Sequence, residues 1–216
     1  MIAVTFAVPH ESHELRRALK SAPGETLIVH TGIGTADAEK CVAALLAANR
    51  PRWLLSAGYA GALDPALAHG ELFVAENFTS PELLDRCDAR RGILTTQETA
   101  AETPAQKSAL ARETGAQAVD METSAIARVC AAHGVPMLSL RAISDIAAAD
   151  IPVPLHISYD LVRQRPRIAG LLTFLARNPS RILPFARFVR GLTPAREAMT
   201  AAIIAILENA PPRPSI

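Results

Sequence analysis

The sequence has few cysteines, few aromatic residues and no long hydrophobic run. Its three cysteines, Cys41, Cys87 and Cys130, lie far apart and form no CxxC pair, which argues against a disulfide framework or a cysteine zinc site and indicates a reducing compartment. The N-terminal residues lack the basic segment of a signal peptide. The longest uncharged apolar stretch of the C-terminal part, residues 168–176, is too short to span a bilayer. We therefore expect a cytoplasmic protein.

The charge of the chain gives a second exclusion. The 216 residues carry a formal net charge of +1, so the overall balance predicts no nucleic-acid partner. The charge is unevenly distributed, because residues 161–196 contain eight arginines and no acidic residue. Either this segment packs on the fold with its arginines in water, or it forms an apolar, arginine-rimmed surface that makes peripheral contact with an anionic membrane. Pro179 and Pro184 predict that it folds as short pieces rather than as one long amphipathic helix.

Short β-branched or apolar runs alternate with alanine-rich segments of helical period along most of the chain. Strands are predicted over residues 2–8, 26–31, 53–57, 71–76, 92–96 and, as the last strand, 136–143. Helices are predicted over residues 11–20, 36–48, 105–114 and 122–133. This alternation predicts one α/β domain over residues 1–216, with a mixed, mostly parallel central sheet, helices on both faces and an arginine-rich helical segment at about 161–208. Ligands of such folds bind beyond the carboxyl ends of strands, where residues 58–61 and 144–145 are expected.

The segment AVDMETSAIARV, residues 118–129, contains the sharpest motif. Asp120 and Glu122 open a predicted helix, and a purely structural interpretation exists because acidic side chains interact favourably with the helix dipole there. The functional interpretation is that a Glu carboxylate accepts hydrogen bonds from two vicinal sugar hydroxyls, while the Met121 thioether offers an apolar wall beneath the sugar ring. The turn GIG, residues 32–34, either holds an anion or a ribose hydroxyl through its N–H groups or is a plain tight turn.

Two further motifs each allow a structural and a functional interpretation. Ser144 and Asp145, in RAISD at residues 141–145, either N-cap the next turn or act in catalysis. His10 and His13 raise the question of a metal, but the zinc motif needs two histidines four residues apart on a helix and a third ligand. We therefore predict no metal, while Glu11 stays a candidate because it follows the first strand.

Together these segments resemble the purine nucleoside phosphorylase and nucleosidase superfamily. The likeness runs in order over about residues 1–150: the first strand with Glu11, the GIG turn, SAGYAGALDP, AVDMETSAIA and VPMLSLRAISD. The chain is most similar to methylthioadenosine/S-adenosylhomocysteine nucleosidases and to the related hopanoid-associated nucleosidases. The resemblance implies a nucleoside phosphorylase-like fold, a small-molecule nucleoside substrate, no cofactor and a homodimer.

The resemblance also implies a role for each matching residue. Asp145 protonates the purine at N7, Glu122 binds the ribose hydroxyls, Met121 lies under the ribose, and Glu11 orients and deprotonates the attacking water. These roles suit a transition state that resembles a ribosyl oxocarbenium ion, which carboxylates stabilise in a site closed to water. Partial burial is expected to favour the protonated form of Asp145. The remaining expected substrate-binding residues are Gly34, Gly58, Tyr59, Ala60, Gly61 and Ser144.

The sequence departs from the family pattern at three places. Tyr59 stands where family members carry a small Ser or Thr that helps to bind phosphate or water. The first strand is followed by VPHES, residues 8–12, rather than by a phosphate loop with glycine and arginine, and both departures favour water as the nucleophile. Residues 75–117 are short relative to the better-known nucleosidases, so base-contacting residues do not transfer there, and Thr95 and Thr96 are only candidates.

The predicted activity is hydrolysis of the N-glycosidic bond of an adenosine-type nucleoside that bears an apolar, and in the hopanoid-associated branch a lipid, 5′ substituent. The first alternative is a phosphate-dependent purine nucleoside phosphorylase on the same fold. The second is a non-catalytic nucleoside- or lipid-binding protein. Dependence on phosphate separates the first alternative from hydrolysis, and release of free base from any nucleoside excludes the second.

Overall fold

A mixed sheet of eight strands lies at the centre of the protein in this computed structural model, which describes residues 1–19 and 26–209. The strands are β1 (Ile2–Phe6), β2 (Thr26–His30), β3 (Leu54–Ala62), β4 (Leu72–Ala75), β5 (Arg90–Gly92), β6 (Leu94–Thr96), β7 (Ala118–Asp120) and β8 (Met137–Asp145). Their order is β2-β1-β3-β8-β4-β5, and β7 pairs with both β3 and β6. Only β3–β7 and β4–β8 are antiparallel among the neighbouring pairs described, so the predicted mixed, mostly parallel sheet is confirmed.

Helices cover both faces of this sheet. They are α1 (His13–Leu19), α2 (Thr35–Ala48), α3 (Pro104–Thr114), α4 (Thr123–Ala132), α5 (Leu155–Ser158), α6 (Ile168–Arg177) and α7 (Ile182–Glu208). Successive residues of a strand point to opposite faces. Val4 and Leu55 accordingly pack in one core with α7, whereas Ala3 and Leu54 pack in another with α2 and α4. The predicted α/β class with helices on both faces is confirmed.

The central strands β3 and β8 are longer than predicted, because both continue through candidate site residues. Residues 58–61 lie inside β3, where Gly61 pairs with Asp145 of β8. Glycine leaves room for the acidic side chains here. A Cβ on Gly58 would lie 3.3 Å from Glu11 Oε1, and one on Gly61 would lie 3.0 Å from Asp145 Oδ2. The prediction that these residues follow the strand was wrong, although they still form its carboxyl end.

Further differences from the prediction concern the strand at residues 92–96, the start of α1 and the place of β8 in the chain. The predicted strand 92–96 is two strands, because β5 pairs with β4 whereas β6 pairs with β7. Helix α1 begins at His13 rather than at Glu11, since the Glu11 carboxylate turns back to accept a hydrogen bond from Val8 N–H. Lys20, the last residue of that predicted helix, lies outside the described residues. An antiparallel ribbon follows β8, which is therefore not the last strand, and it consists of β9 (Tyr159–Asp160) and β10 (Arg165–Pro166).

The C-terminal segment is more continuous than predicted. Helix α7 runs unbroken for 27 residues, although it contains Pro184 and Pro194. Pro184 lies in its first turn, where a backbone N–H has no partner within the helix, so its missing donor costs little. Only Pro179 interrupts the segment, between α6 and α7. The prediction of short pieces throughout was wrong. Within residues 1–19 and 26–209, no helix is long and apolar enough to cross a bilayer.

Candidate active site

A cavity of about 250 Å³ opens at the carboxyl ends of β3 and β8. It brings together most of the predicted site residues, namely Glu11, Tyr59, Ala60, Gly61, Met121, Glu122, Ser144 and Asp145. Gly58 lies instead in the wall of a separate cavity of about 10 Å³ behind Glu11. Thr95 and Thr96 lie on β6, outside the lining. The lining also includes Ile33 of the GIG turn and Asp120 of the AVDMET motif, and residues that the sequence did not indicate, namely Ala7, Val8, Thr99, Ala100, Ala101, Val119, Ile151 and Leu155.

Glu122 immediately precedes α4 and contacts the GIG turn. Gly34 N–H donates a hydrogen bond of 2.8 Å to Glu122 Oε1, so Gly34 reaches the site through its backbone. The φ of Gly34 is 103°, a conformation that glycine adopts readily and other residues rarely do. Burial raises the pKa of Glu122 to about 8, and the charge of Asp120 adds to this, while the bond from Gly34 opposes it. The Glu122 carboxyl group is therefore more readily protonated than that of an exposed glutamate.

Asp120, the last residue of β7, caps α4. Its carboxylate accepts hydrogen bonds from Thr123 N–H at 3.2 and 3.3 Å and from the Thr96 hydroxyl at 2.8 Å. It also pairs with the Arg141 guanidinium, whose Nη2 lies 3.0 Å from Oδ2. The Glu122 side chain makes no such capping bond. The structural interpretation of the motif thus applies to Asp120, and Glu122 is left facing the cavity.

Glu11 lies in the turn between β1 and α1 and is almost fully buried. Val8 N–H donates to its Oε2 at 3.1 Å, and Tyr59 N–H, from β3, donates to its Oε1 at 3.3 Å. Burial raises the pKa of Glu11, whereas these N–H groups and the charge of Arg141 act in the opposite direction. Glu11 is therefore held by two separate chain segments at the edge of the cavity, and burial leaves its pKa above that of an exposed glutamate.

Ser144 and Asp145 end β8 and face the same cavity. The Ser144 hydroxyl donates to Asp145 Oδ1 at 2.6 Å, and Lys107 Nζ of α3 lies 2.5 Å from Asp145 Oδ2. The next helix, α5, begins only at Leu155, and within the described chain no backbone N–H after Asp145 donates to its carboxylate. The capping interpretation of this pair is therefore wrong. The Lys107 ammonium group is thus the charged partner of Asp145 at the end of β8.

Arg141 is a buried cation behind the acidic residues, and the sequence did not indicate it as part of the site. From the middle of β8, its guanidinium donates to Ser56 O at 2.8 Å and pairs with Asp120. Its charge lowers the pKa of both Glu11 and Glu122 and so limits the effect of burial. The sequence did contain a signal for Arg141, namely a charged residue inside an otherwise apolar strand. A buried charge requires partners, so it indicates nearby acidic or polar groups.

Comparison with known proteins identifies the family. A family model described as the phosphorylase superfamily matches residues 5–90 and 79–171 of the chain. The chain belongs to the phosphorylase superfamily. By sequence, no curated protein matches it.

Solved structures show the same fold at low sequence identity. Futalosine hydrolase of Helicobacter pylori strain 26695 is 17% identical, with 97% of each chain covered and a TM-score of 0.72. The 5′-methylthioadenosine/S-adenosyl homocysteine nucleosidase of Campylobacter jejuni is 19% identical, with 97% of this chain and 99% of that chain covered and a TM-score of 0.71. The 5′-methylthioadenosine nucleosidase of Arabidopsis thaliana is 17% identical, with 98% and 96% covered and a TM-score of 0.68.

Tyr59, the main departure from the superfamily pattern, points largely away from the cavity. Its hydroxyl donates to Leu192 O of α7 at 3.2 Å. Burial raises the pKa of Tyr59 to about 12, so the hydroxyl stays neutral. The residue therefore contributes its backbone N–H to Glu11 and part of its ring to the cavity wall, and it adds no charge to the site.

Gln164 joins the ribbon of this superfamily fold to the GIG turn. Its side chain accepts a hydrogen bond from Ile33 N–H at 2.9 Å and donates to Ile33 O at 3.0 Å and to Asp37 Oδ2 at 2.6 Å. Its φ is 49°, the left-handed region that residues other than glycine seldom adopt. Because Ile33 lines the cavity and Gly34 binds Glu122, this contact fixes the wall of the cavity next to Glu122.

His10 and His13 lie apart from the cavity. The His10 ring accepts a hydrogen bond from Arg196 Nη1 at 3.0 Å, and His13 lies 3.7 Å from Glu14. Among residues 1–19 and 26–209, no three or more His, Cys, Asp or Glu side chains lie close enough together to hold a metal ion.

Proposed function

We propose that the protein hydrolyses the N-glycosidic bond of a purine nucleoside. The observation that carries this proposal is the convergence of three carboxyl groups, those of Glu11, Glu122 and Asp145, on one cavity at the carboxyl ends of the central strands. Membership of the phosphorylase superfamily supports it, and the similar structures include proteins named as nucleosidases and as a hydrolase.

Asp145 is the proposed general acid toward N7 of the base. Departure of a purine anion is unfavourable, and proton transfer from a positioned acid relieves it, typically by about 10²- to 10⁴-fold. Ser144 holds Asp145 Oδ1 through its hydroxyl, which fixes the carboxyl group at the end of β8. In this role, the proton moves from Asp145 to the base as the bond from the sugar to the base breaks.

Glu122 and Met121 are the proposed ribose contacts. The oxygen of Glu122 that does not receive the Gly34 N–H is available to the sugar hydroxyls. Met121 lines the cavity beside it and offers an apolar surface to the ring. As the ribosyl group becomes an oxocarbenium ion, a nearby carboxylate stabilises its positive charge.

Glu11 is the proposed base for the attacking water. It borders both the main cavity and the small cavity behind it, whose volume of about 10 Å³ approaches that of one water molecule. Arg141 also lines that small cavity. A water there would meet a carboxylate oxygen, and the proton that it loses on attack would pass to Glu11.

The lining of the main cavity favours water over phosphate. Among the described residues that line it, none is lysine or arginine. Arg141 faces only the small cavity and is already engaged by Asp120 and Ser56. A phosphate dianion would therefore meet carboxyl groups without a free cation, which is unfavourable. A phosphate-dependent phosphorylase is the alternative reaction on this fold.

We propose an adenosine-type substrate with an apolar 5′ substituent. Ile33, Ile151 and Leu155 line the cavity near the ribbon and provide apolar contacts for such a group. One side of the cavity is apolar and the other carries carboxyl groups. This arrangement suits a nucleoside with a polar sugar and base and an apolar 5′ substituent.

The activity is tested by incubating the purified chain with a panel of 5′-substituted adenosines, with and without phosphate. We expect free adenine and free sugar at equal rates in both conditions, and no adenine with Asp145→Asn on the same time scale. Sugar 1-phosphate that forms only with phosphate present would establish the phosphorylase alternative. Binding without any base release would establish the non-catalytic alternative.

The surface of α6 and the first half of α7 supports a lipid contact. Ile168, Leu172 and Leu183 are 59%, 61% and 58% exposed, and no residue of α6 is buried. Arg181 lies between the two helices. We propose that this surface rests on an anionic membrane, from which a substrate with a lipid, hopanoid-type 5′ substituent is drawn. The proposed location is thus the cytoplasm, with peripheral membrane contact.

Co-sedimentation with vesicles that contain phosphatidylserine tests this contact. We expect binding at low salt, weaker binding at high salt, and loss of binding in the double variant Leu172→Ser/Leu183→Ser. Ile93→Ser, at a residue 40% exposed elsewhere, is the matched control. Equal failure to bind at both salt concentrations, with efficient cleavage of methylthioadenosine, would leave a small-molecule nucleosidase without a lipid surface. A homodimer is also proposed, and sedimentation velocity measures it directly.

A further inference from the structure

Lys107 is a fully buried lysine whose ammonium group lies against the candidate general acid. It is the only residue of α3 that is buried, and its side chain is 0% exposed. Its Nζ lies 2.5 Å from Asp145 Oδ2 and donates to Ile146 O and Ala149 O at 2.9 Å each. Both hydrogen bonds of the ammonium group therefore go to the loop that follows β8, and its contact with Asp145 Oδ2 is an ion pair.

Burial of this charge needs a reason. Transfer of an ammonium group from water into protein costs several kcal/mol unless partners compensate for it. Helix α3 is secured at its start by a Thr103–Gln106 capping box and packs through the partly buried Leu110 and Ala111, so the helix itself does not require a buried cation. The contacts of Lys107 all concern Asp145 and residues 146–149, which places its role at the site rather than in the helix.

We propose that Lys107 is a positioning residue that acts through Asp145, aiming its carboxyl group at the cavity and stabilising the negative charge that Asp145 acquires when it protonates the base. This inference rests on the proposed function. As the bond between C1′ and N9 breaks, its electron pair goes to the base, and the Asp145 proton goes to N7. Water adds to C1′ and gives its proton to Glu11, while Lys107 keeps its three protons throughout.

The surrounding charges explain why a cation is needed there. Lys107 is the cation that contacts Asp145, from α3, while Glu11, Asp120 and Glu122 line the same cavity from the other elements. Without the ammonium group, the negative charge that Asp145 acquires on proton transfer would have no cation in contact with it and would lie near these acids.

The test compares Lys107→Met, Asp145→Asn and the double variant with the unchanged chain. Lys107→Met has nearly the length of lysine but no charge, and Lys40→Met, at an exposed lysine of α2, is the matched control. We expect Lys107→Met to lower kcat about tenfold with little change in KM, and to change the pH profile of kcat, which loss of a purely structural anchor would leave unmoved. In the Asp145→Asn background, Lys107→Met should cause no further loss of kcat.

Each result separates positioning from simple support of the fold. Equal losses in both backgrounds, or a lower kcat with an unmoved pH profile, would overturn the inference and leave Lys107 as an anchor for residues 146–149. If Lys107→Met does not fold, as judged by its thermal transition, Lys107→Gln retains a donor without the charge and takes its place. An unchanged chain that releases no base from any nucleoside would refute the proposed function itself. An active chain with additive losses refutes only the role of Lys107.

Discussion

Replacement of Glu122 by glutamine should stabilise the protein in alkaline solution while it removes activity. Glutamine has the shape of glutamic acid, and its amide oxygen still accepts the hydrogen bond from Gly34 N–H. What it removes is the cost of ionising a buried carboxyl group beside Asp120. A gain in stability on loss of a functional group is expected where that group destabilises the folded protein.

The magnitude follows from the pKa of Glu122. Its value is raised from 4.5 to about 8 in the folded state, so the folded protein binds this proton more tightly than the unfolded chain does. The tighter proton binding by Glu122 adds to the free energy of unfolding of the unchanged chain. This addition is fully present below pH 4.5 and is lost as the pH rises through about 8. Each pKa unit of difference between the folded and unfolded states corresponds to about 1.4 kcal/mol. The free energy of unfolding therefore changes by at most about 5 kcal/mol between acidic and alkaline solution.

Chemical unfolding of both proteins between pH 4 and pH 9 measures this difference. We expect the free energy of unfolding of Glu122→Gln to equal that of the unchanged chain near pH 4 and to exceed it by several kcal/mol at pH 9. Glu113→Gln makes the same chemical change at an exposed residue of α3 and should show no such divergence. A pH-independent difference, or a loss of stability in Glu122→Gln at pH 9, would refute the reasoning.

Three further substitutions test the site. Asp145→Asn should keep the fold and lower kcat by about 10²- to 10⁴-fold, as measured by adenine release, and near-normal turnover would exclude it as the general acid. Glu11→Gln should slow the chemical step in single-turnover experiments while substrate still binds, so that a purely weaker affinity would contradict its role with water. Gln164→Ala should release Ile33 and raise KM by about tenfold, the equivalent of about one hydrogen bond, with a smaller effect on kcat. An unchanged KM would show that the ribbon does not fix the wall of the cavity next to Glu122.

Much of the fold was predictable because local signals agree with one another. Hydrophobic periodicity and residue composition indicated the alternation of strands and helices. The sheet is mixed and mostly parallel, as expected. The unbroken start of α7 was not predictable from Pro184, because the cost of proline depends on its place within a helix. Nor was the extension of β3 through residues 58–61, since a glycine pair suggests a turn until a neighbouring strand is known to pair with it.

The candidate site also has a part that the sequence predicted and a part that only the structure showed. By itself, the sequence determined which acids are available, and its ordered resemblance to the superfamily implied that Glu11, Glu122 and Asp145 belong to one site. Only the tertiary structure decided what those acids contact. Lys107 is 38 residues before Asp145 in the chain, and Gln164 meets Ile33 across 131 residues. Such contacts leave no local pattern, because they arise from the packing of separate elements, and it is this packing that sets the burial and charge of each acid.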